Sequence, residues 1–135
     1  MTTRPLIIVA AAVAERDGAF LLTRRLAGTP LAGTWEFPGG KCEDGERLDE
    51  CLHREMVEEL GVAVIVGREV FTTRHSYPER EVELHFLRCE LRGEPQPTLG
   101  QELRWVPRAD LRRLECPPAD LELIERLASD DDGSS

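Results

Sequence analysis

Glu55, Glu58 and Glu59 fall at i, i+3 and i+4 of one segment, a spacing that can do chemistry. On an α-helix these positions are neighbours, so three carboxylates share one face and repel by about a few tenths of a kcal/mol per pair. A hard divalent cation offsets that repulsion, and oxygen-only donors are what Mg²⁺ or Mn²⁺ prefers. The competing reading is an ordinary solvated acidic face, balanced by Arg47 and Arg54. A helix must hold these residues. Leu48, Cys51, Leu52, Met56 and Leu60 recur at helical spacing, and Gly61 stands where a helix C-terminus favours glycine. The predicted helix therefore runs from about Arg47 to Leu60.

Strand-forming segments surround it. Leu6–Glu15 and Ala19–Arg24 read as two strands joined at Asp17-Gly18, a hairpin signal. Leu26–Thr34 is a loop, and Trp35–Phe37 is a short apolar run stopped by Pro38-Gly39-Gly40. Val62–Thr73 and Glu81–Leu91 are rich in β-formers, with Tyr77-Pro78-Glu79-Arg80 as the turn between them. A Pro/Gly loop over Gly93–Gly100 precedes a short strand, Glu102–Val106. Pro117-Pro118 opens a second helix over Asp120–Ala128. The order predicts a mixed β-sheet with one helix in the middle of the chain and one at its end, an α+β or α/β sandwich. Residues 1–128 read as a single domain, and 129–135 as a disordered acidic tail.

The bulk numbers bound the function. At 135 residues the chain fits one domain with a real core. A net charge of −9 argues against electrostatic nucleic-acid binding, though bound cations let an acidic protein accept a polyphosphate. Of 17 basic residues only Lys41 is a lysine, and it directly follows Gly39-Gly40. Cys42, Cys51, Cys89 and Cys116 form no C-x-x-C pair and no metal-ligand spacing, which fits small apolar fillers in a reducing cytoplasm. The apolar run Leu6–Ala14 is read as a buried strand rather than a signal sequence, because a second strand follows at hairpin spacing. No apolar stretch approaches the roughly 18–20 residues that span a bilayer.

Reading outward from the glutamates gives Gly40, five residues, Glu46, seven residues, then Arg54-Glu55-Met56-Val57-Glu58-Glu59-Leu60-Gly61-Val62. This resembles the Nudix box, G-x5-E-x7-R-E-U-x-E-E-x-G-U with U aliphatic, and matches every specified position. The resemblance implies a Nudix fold, a mixed sheet sandwiched between helices. It implies a Mg²⁺ site (Mn²⁺ is the alternative) held by Glu55, Glu58, Glu59 and the Gly39 carbonyl, with Arg54 bracing the glutamates. Glu46 then reads as a structural partner rather than a ligand. Lys41 reads equally as a phosphate contact or a solvent-facing lysine.

The resemblance extends along most of the chain. Thr23-Arg24-Arg25, Trp35-Glu36-Phe37-Pro38-Gly39-Gly40-Lys41, Gly45-Glu46 and Pro117-Pro118-Ala119-Asp120 look like the MutT branch, whose members cut nucleoside triphosphates to the monophosphate and pyrophosphate. It implies that Arg25 contacts the nucleotide, Phe37 lines a base pocket and Asp120 reads the base edge. Related proteins carry asparagine at the last position. An amide both donates and accepts, as N7–H and O6 of 8-oxoguanine require, whereas an ionised carboxylate only accepts, as from a cytosine amino group or from guanine N1–H and N2–H. Asp120 also suits the N-cap of the last helix. A glutamate usual six residues before Trp105 is here Leu99, leaving Glu102 as the possible loop carboxylate and either Glu55 or Glu59 as general base.

The expected function is therefore Mg²⁺-dependent pyrophosphohydrolysis of a (d)NTP such as 8-oxo-dGTP. The ranked alternatives begin with (d)CTP or 5-methyl-dCTP. ADP-ribose follows, since Pro78 lies about where ADP-ribose-cleaving relatives carry a proline, and a non-catalytic nucleotide-binding module comes last. The expected partner is the nucleotide alone, with neither nucleic acid nor membrane, in a monomer or homodimer.

Overall fold

β1 (Leu6–Arg16) sets the architecture because both of its faces are buried. Ala10, Ala12 and Ala14 face one apolar cluster, while Ala11 and Val13 face another. That two-sided burial explains the unbroken apolar run, which a strand with one wet face does not have. The computed structural model describes residues 4–129. After β1 come β2 (Ala19–Arg24), β3 (Trp35–Glu36), β4 (Gly39–Lys41), α1 (Leu48–Leu60), β5 (Val64–Ser76), β6 (Glu81–Leu91), β7 (Leu103–Pro107) and α2 (Leu121–Ser129). Short 3₁₀ helices over Arg108–Arg113 and Pro118–Asp120 connect β7 to α2. The expected tail beyond Ser129 lies outside the described residues, and Ser129 itself closes α2.

β1 and β6 pair in parallel from Leu6↔Glu81 to Ala14↔Cys89, whereas the other strand pairs are antiparallel, so the sheet is mixed. On its other edge β1 pairs first with β4 and then, past residue 14, with β2. The turn between β1 and β2 holds Asp17 at φ 53° and Gly18 at φ 80°, the left-handed pair that an Asp-Gly hairpin needs. α1 packs Cys51, Leu52, Met56 and Leu60 on one side of the sheet. α2 packs Leu123, Ile124 and Leu127 on the other. Helices thus cover both faces, as expected.

Two elements depart from the sequence reading. Pro38-Gly39-Gly40 does not end the extended run, because Gly39–Lys41 form β4 against Val9–Ala11. The reason is close approach. A Cβ on Gly39 would overlap the Ala10 carbonyl, so glycine lets the two backbones meet. The 3₁₀ helix over Arg108–Arg113 was not predicted, and it inserts the fully buried Leu111 into the α2-side core.

α1 is secured at both ends. The Arg47 N–H donates to Glu50 Oε1 at 2.9 Å, and Asp49 and Glu50 place negative charge at the positive end of the helix. At the other end Gly61 adopts the left-handed conformation and donates to the Val57 carbonyl at 3.0 Å. The Gly93–Gly100 loop then folds back over the last turn. The Thr98 hydroxyl bonds the Glu58 and Glu59 carbonyls at 2.7 and 2.8 Å, and Gln101 Nε2 reaches the Glu59 carbonyl at 3.1 Å. Carbonyls that a helix end leaves without intrahelical partners are met by this loop.

Candidate active site

α1, β4 and the 3₁₀ helix just before α2 converge on a cavity of about 460 Å³. One end of it is acidic. Glu55 and Glu59, one helical turn apart, both line it. Arg54 fixes the first of them by donating from Nη1 to Glu55 Oε2 at 2.8 Å. The same guanidinium grips Glu46 in a two-pronged pair, Nε to Oε2 at 2.8 Å and Nη2 to Oε1 at 2.9 Å, and Nη2 also reaches the Lys41 carbonyl at 3.0 Å. Bidentate pairing to arginine holds the Glu46 carboxyl down at about 2. Glu46 therefore anchors Arg54, the structural role expected of it.

Burial, with the charge of Glu55 next, pushes the Glu59 carboxyl up to about 8. Glu36 and Glu58 add to the effect. Carboxyl groups crowded this closely suit a divalent cation, and their oxygen-only donor set is that of a hard ion. Gly39 and Gly40 line the same end of the cavity. Glu58 is placed differently from its neighbours. Its side chain is 59% exposed and does not line the cavity, with Oε1 3.4 Å from Arg54 Nη1.

The other end is partly apolar. Phe37 is buried and packs edge-on against Phe86, with ring centroids 5.8 Å apart. Leu84 and Phe86 from β6 complete that wall. Asp120 is 4% exposed and lines the cavity. Among the described residues no side-chain hydrogen bond ties Asp120 to the start of α2, so the capping role expected as an option does not materialise. Burial pushes its carboxyl up to about 7, with the Glu36 charge adding to the rise and the Phe37 amide and Arg25 opposing it.

Arg25 lines the cavity but is not free. Its Nη1 donates to both Glu36 oxygens at 2.9 and 3.2 Å, and its Nε donates to the Pro30 carbonyl at 2.6 Å. Lys41 also lines the cavity and, among the described residues, has no ion-pair partner. Glu102 is not brought to the site. It pairs with Arg24 Nη1 at 2.8 Å and borders a separate groove, so the loop supplies no carboxylate to the Glu55–Glu59 end. The physical cause is β7 pairing with β2, which sets Glu102 beside Arg24, whose backbone amide bonds its carbonyl at 3.0 Å.

Sequence reasoning missed Glu36. It stands between the two ends of the cavity, and burial raises its carboxyl while Arg25 opposes the rise. The signal was a charged residue inside the short apolar run Trp35–Phe37. Gln101, buried against the end of α1, gave no such signal.

Residues 9–126 match the family model of the NUDIX domain. The chain is 37% identical over 121 residues to the CTP pyrophosphohydrolase of Escherichia coli (strain K12), covering 89% of this chain and 90% of the relative. It is 36% identical over 129 residues to the 8-oxo-dGTP diphosphatase of Haemophilus influenzae, covering 94% and 95%. The crystal structure of the MutT protein from Methanosarcina mazei Go1 superposes with a TM-score of 0.84 at 26% identity over the whole of both chains. The chain belongs to the Nudix hydrolase family. Within that family its structural neighbours are MutT proteins, and Nudix hydrolases generally use a divalent metal.

Gly40 offers a direct test of the geometry. A Cβ there would overlap the Glu55 carboxylate, which Arg54 prevents from swinging aside. Gly40→Ala should therefore lower hydrolytic turnover by roughly a hundredfold, the effect of an approximately 1 Å misplacement, with the far-UV circular dichroism unchanged. Turnover near that of the parent protein would show that Glu55 need not occupy its present position.

Proposed function

We propose that the protein is a Mg²⁺-dependent nucleoside triphosphate pyrophosphohydrolase that acts on a (d)NTP such as 8-oxo-dGTP, releasing the monophosphate and pyrophosphate. One observation carries this reading. A single cavity has crowded carboxylates at one end and, at the other, an aromatic wall beside a buried hydrogen-bonding carboxyl. Polyphosphate and base need those two environments within one molecule's length.

Glu55, Glu58, Glu59 and the Gly39 carbonyl would hold the metal, which when bound neutralises phosphate charge and lowers the pKa of a water. Arg54 keeps Glu55 in position, and Lys41 stands ready for a phosphate oxygen. The attacking water gives its proton to a carboxylate of the Glu55–Glu59 pair. Phe37 and Phe86 flank the base, and the Arg25–Glu36 pair borders the space between base and phosphates. The partner is the nucleotide alone, and the four free cysteines favour a reducing cytoplasm. Among the described residues no helix is long and apolar enough to cross a membrane.

Asp120 favours a second substrate reading within the same chemistry. As an ionised carboxylate it accepts from a cytosine amino group, which suits (d)CTP or 5-methyl-dCTP. The curated relative named CTP pyrophosphohydrolase gives that reading weight. Ranking 8-oxo-dGTP, dCTP, CTP, 5-methyl-dCTP and ADP-ribose by kcat/KM tests both. A triphosphate should lead by at least about tenfold. ADP-ribose in first place would overturn the triphosphate assignment.

A further inference from the structure

Cys42 and Cys51 take no part in the reaction just described, yet they meet directly behind its scaffold. Cys42 follows β4, and Cys51 lies in the second turn of α1, its Sγ donating to the Gly40 carbonyl at 3.7 Å. The two sulfurs and a Glu46 carboxylate oxygen lie within 4.8 Å of one another. Both thiols are free.

Two thiols and a carboxylate are a donor set for a soft cation. Here both Glu46 oxygens already accept from Arg54, at 2.8 and 2.9 Å, so a cation would have to displace the guanidinium. A bond between the sulfurs can form without first displacing the guanidinium, and it gives up only the Cys51 contact with the Gly40 carbonyl. Access is also divided between the thiols in a useful way. Cys42 is half-buried and borders a surface groove of about 260 Å³, walled by Ile7, Ile8, Glu43 and Gly45, which a small oxidant can enter. Cys51 is fully buried behind it.

We propose that Cys42 and Cys51 form an oxidation site, in which a hydroperoxide converts the dithiol to a disulfide that disarms the neighbouring Glu46–Arg54 clamp. The peroxide first transfers an oxygen atom to Cys42, giving a sulfenic acid and an alcohol, or water from hydrogen peroxide. The Cys51 sulfur then attacks the sulfenic sulfur, the S–S bond forms and water leaves. Two electrons pass from the thiols to the peroxide. Burial raises both thiols above their usual range, which lowers the thiolate fraction and slows the first step.

Closure to about 2.05 Å draws the sulfurs together by no more than about 3 Å. The Cys51 contact with the Gly40 carbonyl is then lost. The pull acts on the end of β4 and on the α1 turn just before Arg54 and Glu55.

The test treats the full chain with hydrogen peroxide, maps its cysteine-containing peptides and follows nucleotide hydrolysis. A Cys42–Cys51 cross-link should form. Turnover should fall tenfold to a hundredfold and return with dithiothreitol. Cys42→Ser, a nearly isosteric change at the half-exposed position, and Cys51→Ala should both hold their turnover under peroxide. Over-oxidation of Cys42 with Cys51 left as a thiol would overturn the proposal. So would a cross-link that leaves turnover unchanged, or equal peroxide losses in the parent protein and Cys42→Ser. Only the turnover arm rests on the nucleotide-hydrolase reading. The peptide map stands without it.

Discussion

Glu59→Gln should lower turnover by roughly a hundredfold to a thousandfold and, at pH 9 in chelator, make the protein more stable. Opposite effects on activity and stability follow from one cause. Glu59 is driven up to about 8 by burial and by the charge of Glu55. In the unfolded chain it gives up its proton near 4.5. Between those values the folded state binds more protons, so stability is fully present below the lower value and is lost as pH rises through about 8. Glutamine never carries that charge. The variant should gain on the order of 2 kcal/mol above pH 8 and match the parent protein at pH 4, as denaturant titrations would show. Adding Mg²⁺ should raise the melting temperature of the parent protein and leave the variant nearly unmoved. Glu58→Gln separates the two effects, because its exposed side chain predicts lost turnover without the stability gain. A Glu59→Gln protein that is no more stable at pH 9, or that hydrolyses nucleotide normally, would remove Glu59 from the metal site.

Substrate preference should itself depend on pH. With its carboxyl pushed up to about 7, Asp120 is a protonated donor and acceptor below that value and an acceptor alone above it. The protonated form matches the N7–H and O6 edge of 8-oxoguanine, and the ionised form matches a cytosine amino group. The ratio of kcat/KM for 8-oxo-dGTP over dCTP should therefore fall as pH rises from 6 to 8. A hydrogen bond gained or lost in such a pocket is worth about 1–3 kcal/mol, a change of roughly tenfold to a hundredfold. Asp120→Asn should flatten the profile and fix the preference toward 8-oxo-dGTP. It should also stabilise the metal-free protein above pH 7, because the carboxylate destabilises the fold as pH rises from about 4 to about 7. A ratio that ignores pH in the parent protein and is unchanged in Asp120→Asn would mean that Asp120 does not read the base.

The parts legible in the sequence were those that local periodicity encodes. Leu48, Cys51, Leu52, Met56 and Leu60 announced α1, and the glutamate spacing announced its acidic face. The two-sided burial of β1 was visible as an unbroken apolar run. What escaped depends on which segments meet across the fold. β4 was hidden because a Pro-Gly-Gly sequence looks like a stop, and its glycines make sense only once Ala10 and Glu55 are seen pressing on them. Glu36 was hidden because a two-residue strand has no period. Glu102 was named for its nearness to Trp105, yet strand pairing turned it toward Arg24. Cys42 and Cys51 looked unrelated because their meeting is made by a strand and a helix, not by a short motif.

The fold-back of Thr98 and Gln101 over the last turn of α1 joins the fate of two regions. Those bonds link the Glu58–Glu59 turn to a Pro/Gly loop, so the two should open and close as one cooperative unit. When the loop lifts, the Glu58 and Glu59 carbonyls lose these partners, and the carboxylates on that turn lose their fixed spacing. The free energy of opening the loop therefore also sets the fraction of molecules whose acidic site is assembled. Loop sequence can retune that fraction without altering a single glutamate.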